Sequence, residues 1–145
     1  IACLGLECLD DIKNIDEYNP KNDKFNSEKI IDVLYEKARS PAQTMQEFNE
    51  WVMSVSMDKR PIEVASPIKF DGMFTAWYFD NFLGKNPFGH SGIDVNSLYK
   101  GIMHDMNANI KNLNLRENNN LTNNALEDAI QQAKEFEKIL EMMKT

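Results

Sequence analysis

The chain reads as a helix-rich α/β domain with a reduced sheet, and three observations point there. Two short apolar strand candidates, Ile62–Ala65 and Ile93–Val95, bracket an aromatic helix, the alternation typical of layered α/β folds. Elsewhere, apolar residues recur at helical spacing, most clearly over residues 27–39, 41–55 and 124–143. At 145 residues, with 42% hydrophobic and 27% charged content, the chain suits one soluble globular domain. Its expected division is an irregular segment over 1–25 and a core over 26–145.

Beyond Leu9 the first segment carries little periodicity. Asp10, Asp11, Asp16, Glu17, Asn19, Pro20, Asn22 and Asp23 make it polar and turn-forming. A helix is predicted from Ser27 to Arg39, with Ile30, Ile31, Leu34, Tyr35 and Ala38 on one face and Asn26 or Ser27 as its cap. Ser40-Pro41 restarts a helix: Ser40 is the N-cap, Pro41 takes the first position, and Gln43 completes a capping box. Met45, Phe48, Val52 and Val55 supply its buried stripe, with Trp51 beside them.

Met57–Arg60 turns the chain into the first strand, which runs through a Ser66-Pro67 break into Phe70-Asp71. In the helix that follows, Phe70, Met73, Phe74, Trp77, Tyr78, Phe82 and Leu83 recur at helical spacing. Gly84 suits its left-handed end. Lys85–Gly92 reads as loop, Ile93–Val95 as strand and Ser97–Met103 as a short helix. The nine asparagines of Asn107–Asn124 read as exposed loop with little structure of its own. The last helix begins near Asn124. Leu126, Ala129, Ile130, Ala133, Phe136, Ile139, Leu140 and Met143 form its apolar face, and Gln131, Gln132, Lys134, Glu135 and Lys138 its wet one.

The bulk numbers exclude some functions. No apolar run approaches twenty residues, so no transmembrane helix is predicted. Ile1–Leu9 is apolar but lacks the basic start and small-residue cleavage site of a signal peptide. Cys3 and Cys8 are expected as reduced thiols in a cytoplasmic protein. The net charge of −7 argues against gripping nucleic acid by phosphate neutralisation alone. It permits a site whose carboxylates hold divalent metals, because the metals reverse the local sign.

Phe70-Asp71, together with Asn124-Ala125-Leu126-Glu127-Asp128-Ala129, resembles the DEDDh group of 3′-5′ exonucleases, which have a ribonuclease-H-like fold. The resemblance runs from about Ser40 to Leu140. It is densest at Ala65–Phe74, at Trp77-Tyr78-Phe79 with Leu83–Gly89, at Ile93-Asp94-Val95 with Ser97-Leu98-Tyr99 and Gly101, and at Asn124–Ala133. It implies a two-metal phosphodiesterase acting on single-stranded DNA or RNA 3′ ends, with Mg²⁺ or Mn²⁺ as cofactor. In such enzymes four carboxylates hold cations roughly 3.5–4 Å apart and a histidine acts as general base.

Only part of that set is present. Asp71 matches the middle carboxylate and Asp128 the final one, so the resemblance makes both catalytic metal ligands. Asn123 occupies the histidine's position, and an amide cannot take the proton. Ser66 stands where the family usually has Asn. No Asp-x-Glu occurs in the chain. Ile1–Leu6 is similar to the family's first-strand signature with Ala2 in the glutamate's place, and the matching Asp would fall upstream of Ile1.

Each residue also has a plainer reading. Asp71 can serve as the N-cap of the aromatic helix. Glu127 and Asp128 suit the first turn of a helix, whose dipole favours acids, and Asn124 with Glu127 makes a capping box. His90 and His104, both in or near loops, are the remaining candidates for a base. Asp94 reads as structural. The aromatic helix is expected to be core rather than a base-stacking platform, because no basic residues are interleaved with its rings. Two functions follow: a metal-dependent exonuclease, or a catalytically inactive relative serving as a binding or interaction module. Two carboxylates are too few for a metal pair, and loss of a general base costs about 10²–10⁴ in rate. The expectation is therefore little or no nuclease activity. An acidic α/β domain with an unrelated partner is a third possibility.

Overall fold

A computed structural model of the chain describes residues 23–24, 26–37, 39–115 and 125–144. In order these form α1 (Ser27–Lys37), α2 (Pro41–Ser56), β1 (Glu63–Ala65), α3 (Ile68–Leu83), β2 (Gly92–Asp94), α4 (Val95–Ile102), a 3₁₀ turn (Ile110–Leu113) and α5 (Ala125–Met142). The fold is α/β and helix-rich, with a two-stranded parallel sheet that pairs Glu63 with Gly92, Val64 with Ile93 and Ala65 with Asp94. Two compact units are distinguished. The smaller comprises Ile1–Arg39 and Asn119–Ala129, the larger Ser40–Asn118 and Ile130–Thr145.

In the smaller unit, Asn26 caps α1, its Oδ1 accepting from the Glu28 N–H at 3.0 Å. The apolar face expected there does not extend to Tyr35, which is 86% exposed, or to Ile31. The anticipated first-strand signature around Ala2, both cysteines, Asn123 and Asn124 lie outside the described residues.

In the larger unit, α2 starts as its local chemistry demands: Ser40 Oγ accepts from the Gln43 N–H at 3.2 Å and Pro41 opens the helix. The Gln43 side chain does not return to Ser40. Its Nε2 donates to Glu47 one turn on, so the expected capping box is only half made. Met45 and Val52 are buried, whereas Val55, expected beside them, is exposed. Phe48 tilts against Phe79 of α3 at 5.5 Å between ring centroids, and Phe88 closes the trio at 6.4 and 5.9 Å.

The aromatic helix starts three residues before Asp71. Its first N–H, from Ile68, donates to Asp94 Oδ2 at 3.1 Å. The other oxygen, Oδ1, accepts from the Ser97 N–H at 2.7 Å and caps α4. One carboxylate at the end of β2 therefore anchors two helix starts, which bears out the structural reading of Asp94. At the far end Gly84 takes the left-handed conformation (φ 67°) and its N–H returns to the Asp80 carbonyl. Gly92 has a different role. A Cβ there would stand 2.7 Å from Ile68 Cδ1 and 3.0 Å from the Glu63 carbonyl, so β2 approaches β1 and α3 too closely for a side chain.

One expectation about burial is overturned and another holds only in part. Phe79 is fully buried, but Phe70, Met73, Phe74, Trp77 and Tyr78 are 39–58% exposed, so α3 is apolar on its wet side as well. Helix α5 keeps part of its expected face, with Ile139 buried and Phe136 packed on the core, and departs from the rest. Glu135 is buried and Gln131 and Gln132 half-buried, whereas Leu126, Ile130, Leu140 and Met143 are exposed. Of the two inward amides, Gln132 Oε1 accepts from the Ser66 N–H at 2.8 Å, whereas Gln131 Nε2 is buried without a hydrogen-bond partner. Ile139 completes a core with Val95, Tyr99, Ala108 and Ile110. That core draws in part of the Asn-rich stretch, where Asn96 Oδ1 accepts from the Ile110 N–H. Its described part, residues 107–115, therefore holds a 3₁₀ turn and two buried residues instead of open loop, and the rest lies outside the described residues.

Burial pushes the Asp94 carboxyl up. The hydrogen bonds from Ser97 and Ile68 and the Lys100 charge outweigh it, leaving the group below its ordinary 3.8. A depressed carboxylate stabilises the fold above its unfolded pKa, and that contribution is lost as pH falls through the folded value. Asp94→Ala should lower unfolding free energy by about 2 kcal/mol, the cost of two lost caps. The denaturant midpoint should fall at constant slope, and stability should decline less steeply below pH ~4 than in the parent.

Candidate functional site

Helix α3 carries Asp71 at its fourth position, after Ile68, Lys69 and Phe70. A side chain there lies beyond the N-cap, and the cap position itself, Pro67, makes no side-chain hydrogen bond. The capping role open to Asp71 from sequence is thus removed: Asp94, reached through the fold, does that work. Asp71 is half-buried, and burial raises its carboxyl above the usual range.

A second acid, which sequence reasoning missed, stands beside it. Glu63 lies on β1, and a Cβ on Gly72 would come within 3.6 Å of its Oε2, so its carboxylate lies over the first turns of α3. Burial raises its pKa most, a hydrogen bond with Thr75 works against that, and the Asp71 charge raises it further. The clue lay in Ile62-Glu63-Val64-Ala65, an acid inside an otherwise apolar strand. Such a residue either crosses to the wet face or has something to bind.

A groove of about 610 Å³ runs along this corner. Glu63, Lys69, Asp80, Asn86, His90 and Ser91 line it, with Gly72 and Gly92 in its wall. Its outer loop is held by local bonds. Asn86 Oδ1 accepts from the Phe88 N–H, Asn86 Nδ2 donates to the Gly89 carbonyl, and Arg60 donates to the Phe88 carbonyl at 3.3 Å while lying against Gly89. Of the two candidate histidines, His90 shares this groove with Glu63. His104 is exposed just past the end of α4.

Asp128 is half-buried in the first turn of α5 and belongs to the smaller unit, whereas Asp71 belongs to the larger. Among the described residues no group of three or more His, Cys, Asp and Glu gathers as a metal site requires. The described donors therefore do not make up a two-metal centre. What the corner offers is a pair of acids, Glu63 and Asp71, each holding its proton more tightly than usual, beside a groove of mixed polarity. No helix among the described residues is long and apolar enough to cross a membrane.

No protein-family model matches the chain. A stretch of 75 residues is 35% identical to the 3′-5′ DNA exonuclease Cap18 of Escherichia coli, spanning 51% of this chain and 40% of that protein. The match thus covers less than half of the relative's length.

A raised carboxyl binds its proton more tightly folded than unfolded, so its contribution to stability declines as pH climbs from the unfolded pKa through the folded one. Glu63→Gln removes that ionisation and keeps an acceptor for Thr75. It should leave the melting temperature equal or higher at pH 7, with a smaller decline between pH 4.5 and 7 than in the parent, measured by thermal melts across that range.

Proposed function

We propose that this chain is a 3′-5′ exonuclease-type domain of the ribonuclease-H-like DEDDh kind that engages single-stranded nucleic-acid 3′ ends but hydrolyses them slowly or not at all. The observation that carries the reading is the 35% identity to a 3′-5′ DNA exonuclease. The placement of Asp71 supports it: a half-buried acid with a raised pKa, relieved of any capping role. The resemblance would make Asp71 and Asp128 each a carboxylate ligand for Mg²⁺ or Mn²⁺, whose charge would offset that of phosphate. Among the described residues no group of three or more donors gathers as a metal site requires.

The impaired chemistry rests on the chain's own residues. Asn123 stands where the resemblance puts the base, and Ala2 where it puts the first-strand glutamate. Loss of a base alone costs about 10²–10⁴ in rate. His90 is an exposed member of the groove, and it sits on a loop rather than at the start of α5.

The test sets the chain beside Cap18 on 3′- and 5′-labelled single strands of DNA and RNA with Mn²⁺. Digestion should run at least about 10²-fold slower than for Cap18. Fluorescence anisotropy should still show binding to 3′ ends, weakened by Asp71→Ala. Brisk 3′-directed digestion abolished by Asp71→Ala would establish an active enzyme and refute the slow-hydrolysis half. No metal-sensitive binding to either strand type would refute end recognition.

A further inference from the structure

The apolar side chains on the wet side of α3 form one stripe. Taking 100° per residue, Phe70, Met73, Phe74 and Trp77 fall within about 60° of the direction opposite the buried Phe79, and Tyr78 lies on their edge. Five large apolar residues, each 39–58% exposed on one helix face, leave roughly 500 Å² of apolar surface in water. An apolar patch of that size rimmed by polar residues is a common mark of an interaction site.

We propose that the partner is a second copy of this chain, with the two α3 helices packed antiparallel across a two-fold axis that passes between Phe74 and Trp77. In that arrangement Phe74 of one copy meets Trp77 of the other, Met73 meets Tyr78, and Phe70 lies over Asn81. The stripe is self-complementary, as an isologous interface requires.

Charge supplies the second argument. Lys69 and Asp80 are both exposed, and eleven residues of helix place them on the same flank about 16 Å apart, too far to pair within one chain. A two-fold axis through the middle of the stripe brings Lys69 of each copy beside Asp80 of the other, so the pair forms twice. The stripe supplies more than half of the roughly 800 Å² per partner of a stable interface, and the flanking residues would have to bury the rest. Nucleic acid is the poorer occupant. Lys69 is the sole cation of α3, Asp71 and Asp80 border the rings, and the chain carries a net charge of −7.

Lys69 and Asp80 also line the groove beside Glu63, so the readout is oligomeric state and not activity: sedimentation velocity and light scattering of the 145-residue chain over a dilution series. The parent should show twice the monomer mass. Trp77→Glu, at an exposed position, should sediment as a folded monomer with an unchanged circular dichroism spectrum. Lys69→Glu should raise the dimer dissociation constant about tenfold by setting like charges together at both ends, and adding Asp80→Lys should restore it. A parent that is monomeric throughout, a dimer indifferent to Trp77→Glu, or a double variant no tighter than Lys69→Glu would overturn the proposal. So would binding of a single-stranded oligonucleotide that Trp77→Glu abolishes.

Discussion

The carboxylate of Asp94 holds two helix starts at once, and the larger unit is arranged around that fact. It closes β2, gives one oxygen to the α4 start at Ser97 and the other to the α3 start at Ile68. Because β2 pairs with β1 in parallel, the same group sets the strand pair against the helix that crosses between them. Gly92 allows the approach and Ile68 fills it. The groove lined by Glu63 and His90 forms beside that junction, so its shape depends on an acid that does not line it.

Once α3 begins at Ile68, Asp71 falls one turn inside the helix, where its carboxylate is half-buried and close enough in charge to Glu63 to affect it. Two acids kept near each other with raised pKa values are a poor choice for stability and a familiar arrangement at sites that bind cations or protons. Helix α5 shows the same preference for polar groups on an inward face. Gln131, Gln132 and Glu135 turn in, Gln132 serves the backbone just after β1, and four large apolar residues are left outside. The setting of α5 is therefore mixed: Ile139 and Phe136 pack inward, Gln132 serves the Ser66 N–H, and Gln131 Nε2 is buried unpaired.

Where a signal is contained in a few neighbouring residues, it was legible. The Ser40-Pro41 start of α2, the Asn26 cap, the Gly84 end of α3 and the Met57–Arg60 turn all follow from chemistry within about four residues, and all are observed. Strand–helix–strand alternation likewise pointed to the α/β class, which the parallel pair of β1 and β2 realises. Periodicity misled in two places. On α3 it found an apolar helix but could not distinguish its buried side from its exposed one, because apolar residues surround the axis. On α5 it placed the whole apolar stripe inward, where Ile139 and Phe136 do pack but Leu126, Ile130, Leu140 and Met143 do not.

By itself the amino-acid order determined the class of fold, most helix limits and the acidic, helix-rich character of the chain. Tertiary structure alone decided that Asp71 is not a cap, that Glu63 is its companion and that the rings of α3 face water. The reason is range: the deciding bonds join Ile68 to Asp94 and Ser66 to Gln132, partners 26 and 66 residues apart. Pairings at that separation leave no periodic trace in the chain, since what selects them is the meeting of folded elements.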